Sequence, residues 1–371
     1  MGDGDEITRP GSDPLATTPG EQRRAVALFL VTLVCVYMVF GFQWHGANPL
    51  TDGEAAWASA KFSVALMAIL LAHEMGHYVV ARRHGFSLSL PYFLPFPAAF
   101  GTFGAIIRLR SLPGSRTALL EMGAAGPLAG FVVALGAILL GLQGTVEHVT
   151  PELVWSGGLE ALQLDVARPG PVMAWINDAL STILPEARPG EVQLMILANP
   201  PVMDLLGELV LGHSPGRYAS LDPLAMAGWV GCLLTAINLL PIGQLDGGHI
   251  FNALAPRWAG RLSKVFLGLA LLAGWFWAGW AFWAILLLAL GAWVSLPVPE
   301  SPGLTRRARW IACLAMLSFM LTFMYKPIEL ESISLTELTL IDEQGNPLDP
   351  ALKAAIEERV QALLAEYEAA K

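Results

Sequence analysis

His73, Glu74 and His77 stand in the run HEMGH, inside the apolar stretch SVALMAILLAHEMGHYVVARR from Ser63 to Arg83. On a helix, positions four apart share a face, so the two imidazoles can hold one metal ion together. Glu74 can then reach a water on that ion. HExxH also arises by chance, and its context carries most of the weight. A carboxylate near the centre of an apolar span costs about 2.5–3.5 kcal/mol on insertion scales. Two packing histidines beside an incidental acid leave that cost unexplained.

A metal needs a third protein donor. AINLLPIGQLDGGHI, Ala236 to Ile250, supplies Asp246. Pro241 and Gly243 break a helix there, and Gly247 and Gly248 let the backbone pass close to another element. Taken alone, Asp246 is a helix cap or an interfacial acid. His84 and His249 each follow one of these motifs and are weaker candidates, read as interfacial histidines. Glu121 is read as an acid snorkelling to the interface.

The elements that must position these side chains are membrane helices. Of 371 residues, 54% are hydrophobic and 14% charged, against about 25% charged in soluble domains. Apolar runs near 20 residues point to an all-α polytopic membrane protein of about six to seven transmembrane helices. Spans are expected at about Ala25–Phe42, Phe62–Ala81, Ala118–Leu142, Leu224–Ile242 and Trp310–Met324. A further stretch, Val265–Pro297, would be about 50 Å long as one helix. The hydrocarbon core is about 30 Å thick, so a helical hairpin turning near Gly279 is favoured, with one long tilted helix as the alternative. The net charge of −9 and the lack of a basic stripe exclude a nucleic-acid binder. Cys35, Cys232 and Cys313 lie in apolar runs, without a CxxC pair or a disulfide framework.

Arg and Lys set the orientation. They precede the first span, cluster between the second and third, and follow the fourth, whereas 143–222 is acidic. The N-terminus is therefore expected in the cytoplasm. HEMGH and LDGG then close two inward-running spans at a similar depth. GAAGPLAG, Gly123 to Gly130, opens the third span on the same side with small residues suited to close helix packing. The chain divides into a disordered tail (1–22), a first span and outer loop (23–60), a core (61–256) with an outer segment (143–222), C-terminal helices (257–325) and a small acidic αβ appendage (326–371). EVQLMILANPPVMDLLGELVLG, within the outer segment, is amphipathic and suited to the membrane surface. PYFLPFP cannot be a regular helix, and the FGTFGAIIRLR after it is β-prone.

HEMGH, GAAGPLAG and NLLPIGQLDGGH occur in this order. With LPYFLPFPAAFGTFGAIIRLRS and LDPLAMAGW they resemble the site-2 protease family of intramembrane zinc metalloproteases, peptidase family M50, most of all the branch that includes the plant EGY proteases. The resemblance covers roughly Lys61 to Pro256. It implies one Zn²⁺ held by His73, His77 and Asp246, with Glu74 as the catalytic glutamate. It implies that Asn238 holds substrate or the developing oxyanion; an interhelical hydrogen bond is the plainer role. It also implies a membrane-dipping β-hairpin at 87–112, whose edge takes up unwound substrate as a strand. The expected substrates are transmembrane segments of single-span proteins in the bilayer, and the expected location is a bacterial inner membrane. A PDZ or CBS domain, common in the family, is not recognised. Two other classes fit the metal: a peptidase acting on soluble peptides, and a transporter or receptor that binds metal without hydrolysis. Glu74 separates them, because only hydrolysis needs a base at the water.

Overall fold

A computed structural model describes residues 18–85, 87–107, 110–111, 114–147, 152–154, 191–291, 293–294, 303–334, 338–341 and 347–369. Most of the tail expected to be disordered, residues 155–190 of the outer segment and the DEQG turn lie outside the described residues. The chain forms two compact units by contact. The first comprises Met1–Gly144, Asn199–His213 and Leu221–Tyr325, and the second comprises Thr145–Ala198, Ser214–Ser220 and Lys326–Lys371.

The first unit is helical. Its long helices are α1 (Pro19–Val39, continued by a π-helical turn Phe40–His45), α2 (Gly53–Arg83) and α3 (Arg116–Leu142). These three are long and apolar enough to cross a membrane, which makes the chain an integral membrane protein. Side-chain caps fix their starts. Thr18 accepts from Glu21 N at 3.2 Å, Asp52 from Ala55 N at 2.9 Å and Ser115 from Ala118 N at 3.2 Å. The Asp52 cap starts α2 nine residues before the expected Phe62, because GEAAWASAK is rich in good helix formers.

Between α2 and α3, β1 (Tyr92–Pro95) and β2 (Thr102–Ile106) form an antiparallel hairpin. α1 holds it at both ends. Glu21, buried, accepts Leu90 N at 3.0 Å and Arg110 Nη2 at 2.7 Å. At the turn, Trp44 Nε1 donates to Ala99 O at 2.8 Å. Gly101 has φ +84° and abuts Val36, where a Cβ would lie 2.4 Å from the Val36 Cα.

The rest of the unit is α4 (Pro201–Val210), α5 (Pro223–Asn238), α6 (Asp246–Leu254), α7 (Pro256–Ala273), α8 (Ala278–Ala289) and α9 (Arg306–Thr322). α5 stops at Asn238, before the expected Ile242, and the chain runs through Pro241 and Gly243 into α6. Val265–Pro297 is not one helix: α7 and α8 pack together, with the turn at 274–277 rather than at Gly279. Gly274 makes that turn because its α-carbon lies against Ala281, where a Cβ would be 2.5 Å from the Ala281 Cβ.

In the second unit, β3 (Glu152–Val154) pairs in parallel with β6 (Thr339–Ile341), and β4 (Glu191–Leu197) pairs antiparallel with β5 (Ile328–Ser334). α10 (Pro350–Ala369) completes it, with Ile356 and Val360 buried against Ile333 and Leu340. The amphipathic piece is divided between two elements: EVQLMIL alternates with period two and forms β4, and only after Asn199-Pro200-Pro201 does α4 begin. Both strands of the C-terminal tail pair with strands of the outer segment.

Candidate metal centre

α2 and α3 cross backbone against backbone. Gly76, inside HEMGH, lies on α3 so closely that a Cβ would sit 2.4 Å from Ala125 O. Gly126 faces the His77 ring, and a Cβ there would fall 2.0 Å from His77 Nε2. Gly130 abuts His73, with 3.1 Å between its virtual Cβ and the His73 Cβ. The GAAGPLAG glycines therefore make the space the imidazoles occupy, beyond the plain helix packing anticipated for them.

His77 Nδ1 lies 2.8 Å from Met122 O. A carbonyl only accepts, so Nδ1 carries the proton and Nε2 keeps its lone pair for the site. His73 Nε2 is 3.2 Å from His77 Nε2. Asp246, the first residue of α6, brings Oδ2 to 3.2 Å from His73 Nε2 and Oδ1 to 3.2 Å from His77 Nε2. The three side chains are only 10–13% exposed. Two imidazole nitrogens and a carboxylate oxygen, all within 4.8 Å of one another, fit a divalent metal such as zinc.

Asp246 is delivered by the loop that closes α5. Gly247 lets α6 start against that helix end, since a Cβ would lie 2.0 Å from Leu239 O. The loop is tied to α7 by Ser263, which is 1% exposed. Ser263 Oγ accepts Gly243 N at 2.8 Å and donates to Trp293 O at 2.9 Å.

The donors open into a cavity of about 700 Å³. Glu74 and Asn238 both line it. Glu74 is buried, and the Asn238 side chain has no hydrogen bond among the described residues, so the interhelical bond considered for it is not present. Phe103–Ile107 of the β2 segment form one wall, and Trp283 and Leu287 of α8 form another. The structure thus brings together His73, Glu74, His77, Asn238 and Asp246. His84 is elsewhere: its Nε2 is 3.0 Å from Glu121 Oε2, with Arg307 Nε 3.7 Å from Oε1. Glu121 is accordingly a buried, paired acid and not a snorkelling one. His249 does line the cavity, with Nδ1 buried and lacking a partner among the described residues. Its place one turn after Asp246 was the signal for it. Trp283 and Ser263 carried no such signal.

The model of peptidase family M50 matches residues 61–278. The chain belongs to peptidase family M50. That is the site-2 protease family of the sequence resemblance, and its class is the zinc metalloprotease. Among curated relatives, the chain is 30% identical over 236 residues to probable zinc metalloprotease EGY2, chloroplastic, of Oryza sativa subsp. indica, covering 63% of this chain and 36% of that protein. It is 30% identical to EGY2 of Arabidopsis thaliana, covering 62% and 35%, and 28% identical to EGY1 of the same plant, covering 58% and 34%. The chain thus spans about a third of the length of these relatives. No solved structure matches it significantly.

Proposed function

We propose that the chain is a zinc metalloprotease that hydrolyses a peptide bond within or at the edge of a transmembrane segment of a single-span membrane protein. The observation that carries this is the meeting of two histidines, an aspartate and a buried glutamate in one cavity that the β2 hairpin also lines. His73, His77 and Asp246 would hold zinc, which when bound supplies Lewis acidity for water and for the scissile carbonyl. Every other part belongs to the chain. The Met122 carbonyl fixes the His77 tautomer and ring. Glu74 takes the proton of the attacking water and hands it to the departing amine. The free Asn238 amide donates to the carbonyl oxygen as negative charge builds on it. A helical peptide bond is shielded by its own hydrogen bonds, so the substrate unwinds locally and adds to the β2 edge by main-chain bonds.

The charges favour an orientation with the N-terminus and the donor-bearing helix ends on the cytoplasmic side. The pairing of β5 and β6 with β4 and β3 supports an even number of crossings between 143 and 326, met by α5, α7, α8 and α9. Together with α1, α2 and α3 these make seven spans.

The test is cleavage of a single-span reporter by purified wild type and Glu74→Gln, with zinc quantified in both. Equal zinc, with cleavage lowered at least about 100-fold in the variant, is expected. Cleavage that survives in Glu74→Gln sinks the mechanism. Zinc in both proteins and cleavage by neither, across a panel of membrane substrates, favours the metal-binding transporter or receptor.

A further inference from the structure

We propose that His249 is a substrate-binding residue, whose Nε2–H donates to a main-chain carbonyl of the unwound substrate beside the scissile bond. This role rests on the protease reading and on strand addition to β2. His249 stands on α6, one turn after Asp246, and lines the cavity of the metal donors. Two contacts seat it. Its backbone N donates to Leu245 O at 2.9 Å. On α3, Gly123 leaves room for its base, since a Cβ there would lie 3.0 Å from the His249 Cβ and 3.1 Å from Asp246 O. The same close approach of α3 thus seats the metal-binding aspartate and this imidazole.

The ring differs from other polar groups that line the cavity. His77 gives its Nδ1 proton to Met122 O, Arg110 donates to Glu21, and Thr235 Oγ1 donates to Gly231 O at 2.8 Å. Neither ring nitrogen of His249 has a hydrogen-bond partner among the described residues, and Nδ1 is buried. A buried N–H without an acceptor is the rarer and costlier orphan, so the proton of the neutral ring sits on Nε2. This is the tautomer opposite to that of His77. There Nε2 keeps a lone pair for a metal, whereas in His249 it is a donor. An apolar side chain of similar volume would fill the space without leaving a nitrogen unpaired, so packing alone does not account for the imidazole.

The ligand follows from the backbone of a bound segment. A segment paired with β2 along one edge turns its alternate carbonyls away from that strand. In a cavity walled by Phe103, Ile106, Trp283 and Leu287 those carbonyls lose water, and each one left without a donor costs free energy. Asn238 is assigned to the scissile carbonyl, which leaves a neighbouring carbonyl for His249. An imidazole N–H is a neutral, directional donor for it. His249 therefore reads the peptide backbone and holds its register, whatever side chains the segment carries.

The test is binding of dye-labelled single-span reporter peptides to the zinc-loaded full chain in detergent, read by fluorescence anisotropy. Glu74→Gln serves as the parent, so that the peptides stay intact, and His249→Leu or His249→Gln is added to it. Leucine is apolar at similar volume, whereas glutamine keeps an N–H donor near the Nε2 position. His249→Leu is expected to weaken binding at least about tenfold and His249→Gln to stay within about threefold of the parent. Zinc content is expected to be equal in all three, and the melting temperature of His249→Leu to hold or rise. Unchanged binding in His249→Leu, or an equal loss in both variants, overturns the role of His249 and leaves the protease reading standing. Loss of zinc or a lower melting temperature in His249→Leu makes the residue structural and overturns the role too. No binding by the zinc-bearing parent, across a panel of membrane segments, removes it together with the protease reading.

Discussion

The donor corner and the apolar wall of the cavity are built on different physics. At the corner, α2, α3 and α6 approach through glycines: Gly76 lies against Ala125 O and Gly123 against Asp246 O, and Gly126 and Gly130 leave the room the imidazoles fill. The apolar wall is made of large side chains, Phe103 and Ile106 from a five-residue strand and Trp283 and Leu287 from a twelve-residue helix. Backbone contacts of this kind have no rotamers to adjust, whereas side-chain walls can repack. Chemistry therefore sits where the fold is least forgiving, and substrate contact where it is adaptable.

The largest effect should come from disturbing the corner. Gly126→Ala places a methyl on His77 Nε2. It is expected to abolish zinc binding and to cost about 1–3 kcal/mol of stability, measured as zinc content and thermal unfolding. A variant that keeps its zinc would erase the distinction between corner and wall. Next comes the tie between them. Ser263→Ala removes the acceptor for Gly243 N, in the loop that carries Asp246. Zinc affinity by chelator competition should weaken about 10–100-fold, as for other outer partners of metal ligands.

The wall should behave in the opposite way. Trp283→Ala is expected to leave zinc affinity unchanged and to raise KM for a membrane reporter about tenfold. Loss of zinc instead would make α8 part of the corner. The smallest effect lies in the second unit. A hydrogen bond from Lys326, assisted by Arg217, holds the Glu329 carboxyl below its usual pKa. A group depressed in the folded state stabilises fully above its unfolded pKa of about 4.5 and loses that contribution as pH falls through the lower folded value. The pair is at the surface, so Arg217→Gln should narrow the melting-temperature difference between pH 7 and pH 3 by the equivalent of less than about 1 kcal/mol. Zinc content should not change.

What could be read in the sequence divides along the same line. HEMGH and LDGG were legible because metal ligation demands particular residue types at fixed spacing. Their common depth followed from span direction and flanking arginines. The glycines of GAAGPLAG were visible, but that Gly126 makes room for His77 was not, because close approach depends on which faces of two helices meet. The α8 wall was hidden for a similar reason: Trp283 sits in a stretch that is apolar all round, with no face marked for the cavity. β4 was not separated from the helix after it because EVQLMIL runs directly into a second apolar stretch, and the two were read as one amphipathic piece. Its partner, β5, lies more than 100 residues away, and sequence alone does not record such pairing.

The central claim is that one zinc ion is held by His73, His77 and Asp246. X-ray absorption at the zinc edge, on wild type and Asp246→Asn, tests it most directly. In wild type the account predicts one zinc per chain with two imidazole nitrogens and oxygen ligands at about 2.0–2.2 Å, and no sulfur. Asp246→Asn should lose most of the metal. Sulfur ligands, or a spectrum and stoichiometry unchanged by Asp246→Asn, would contradict it.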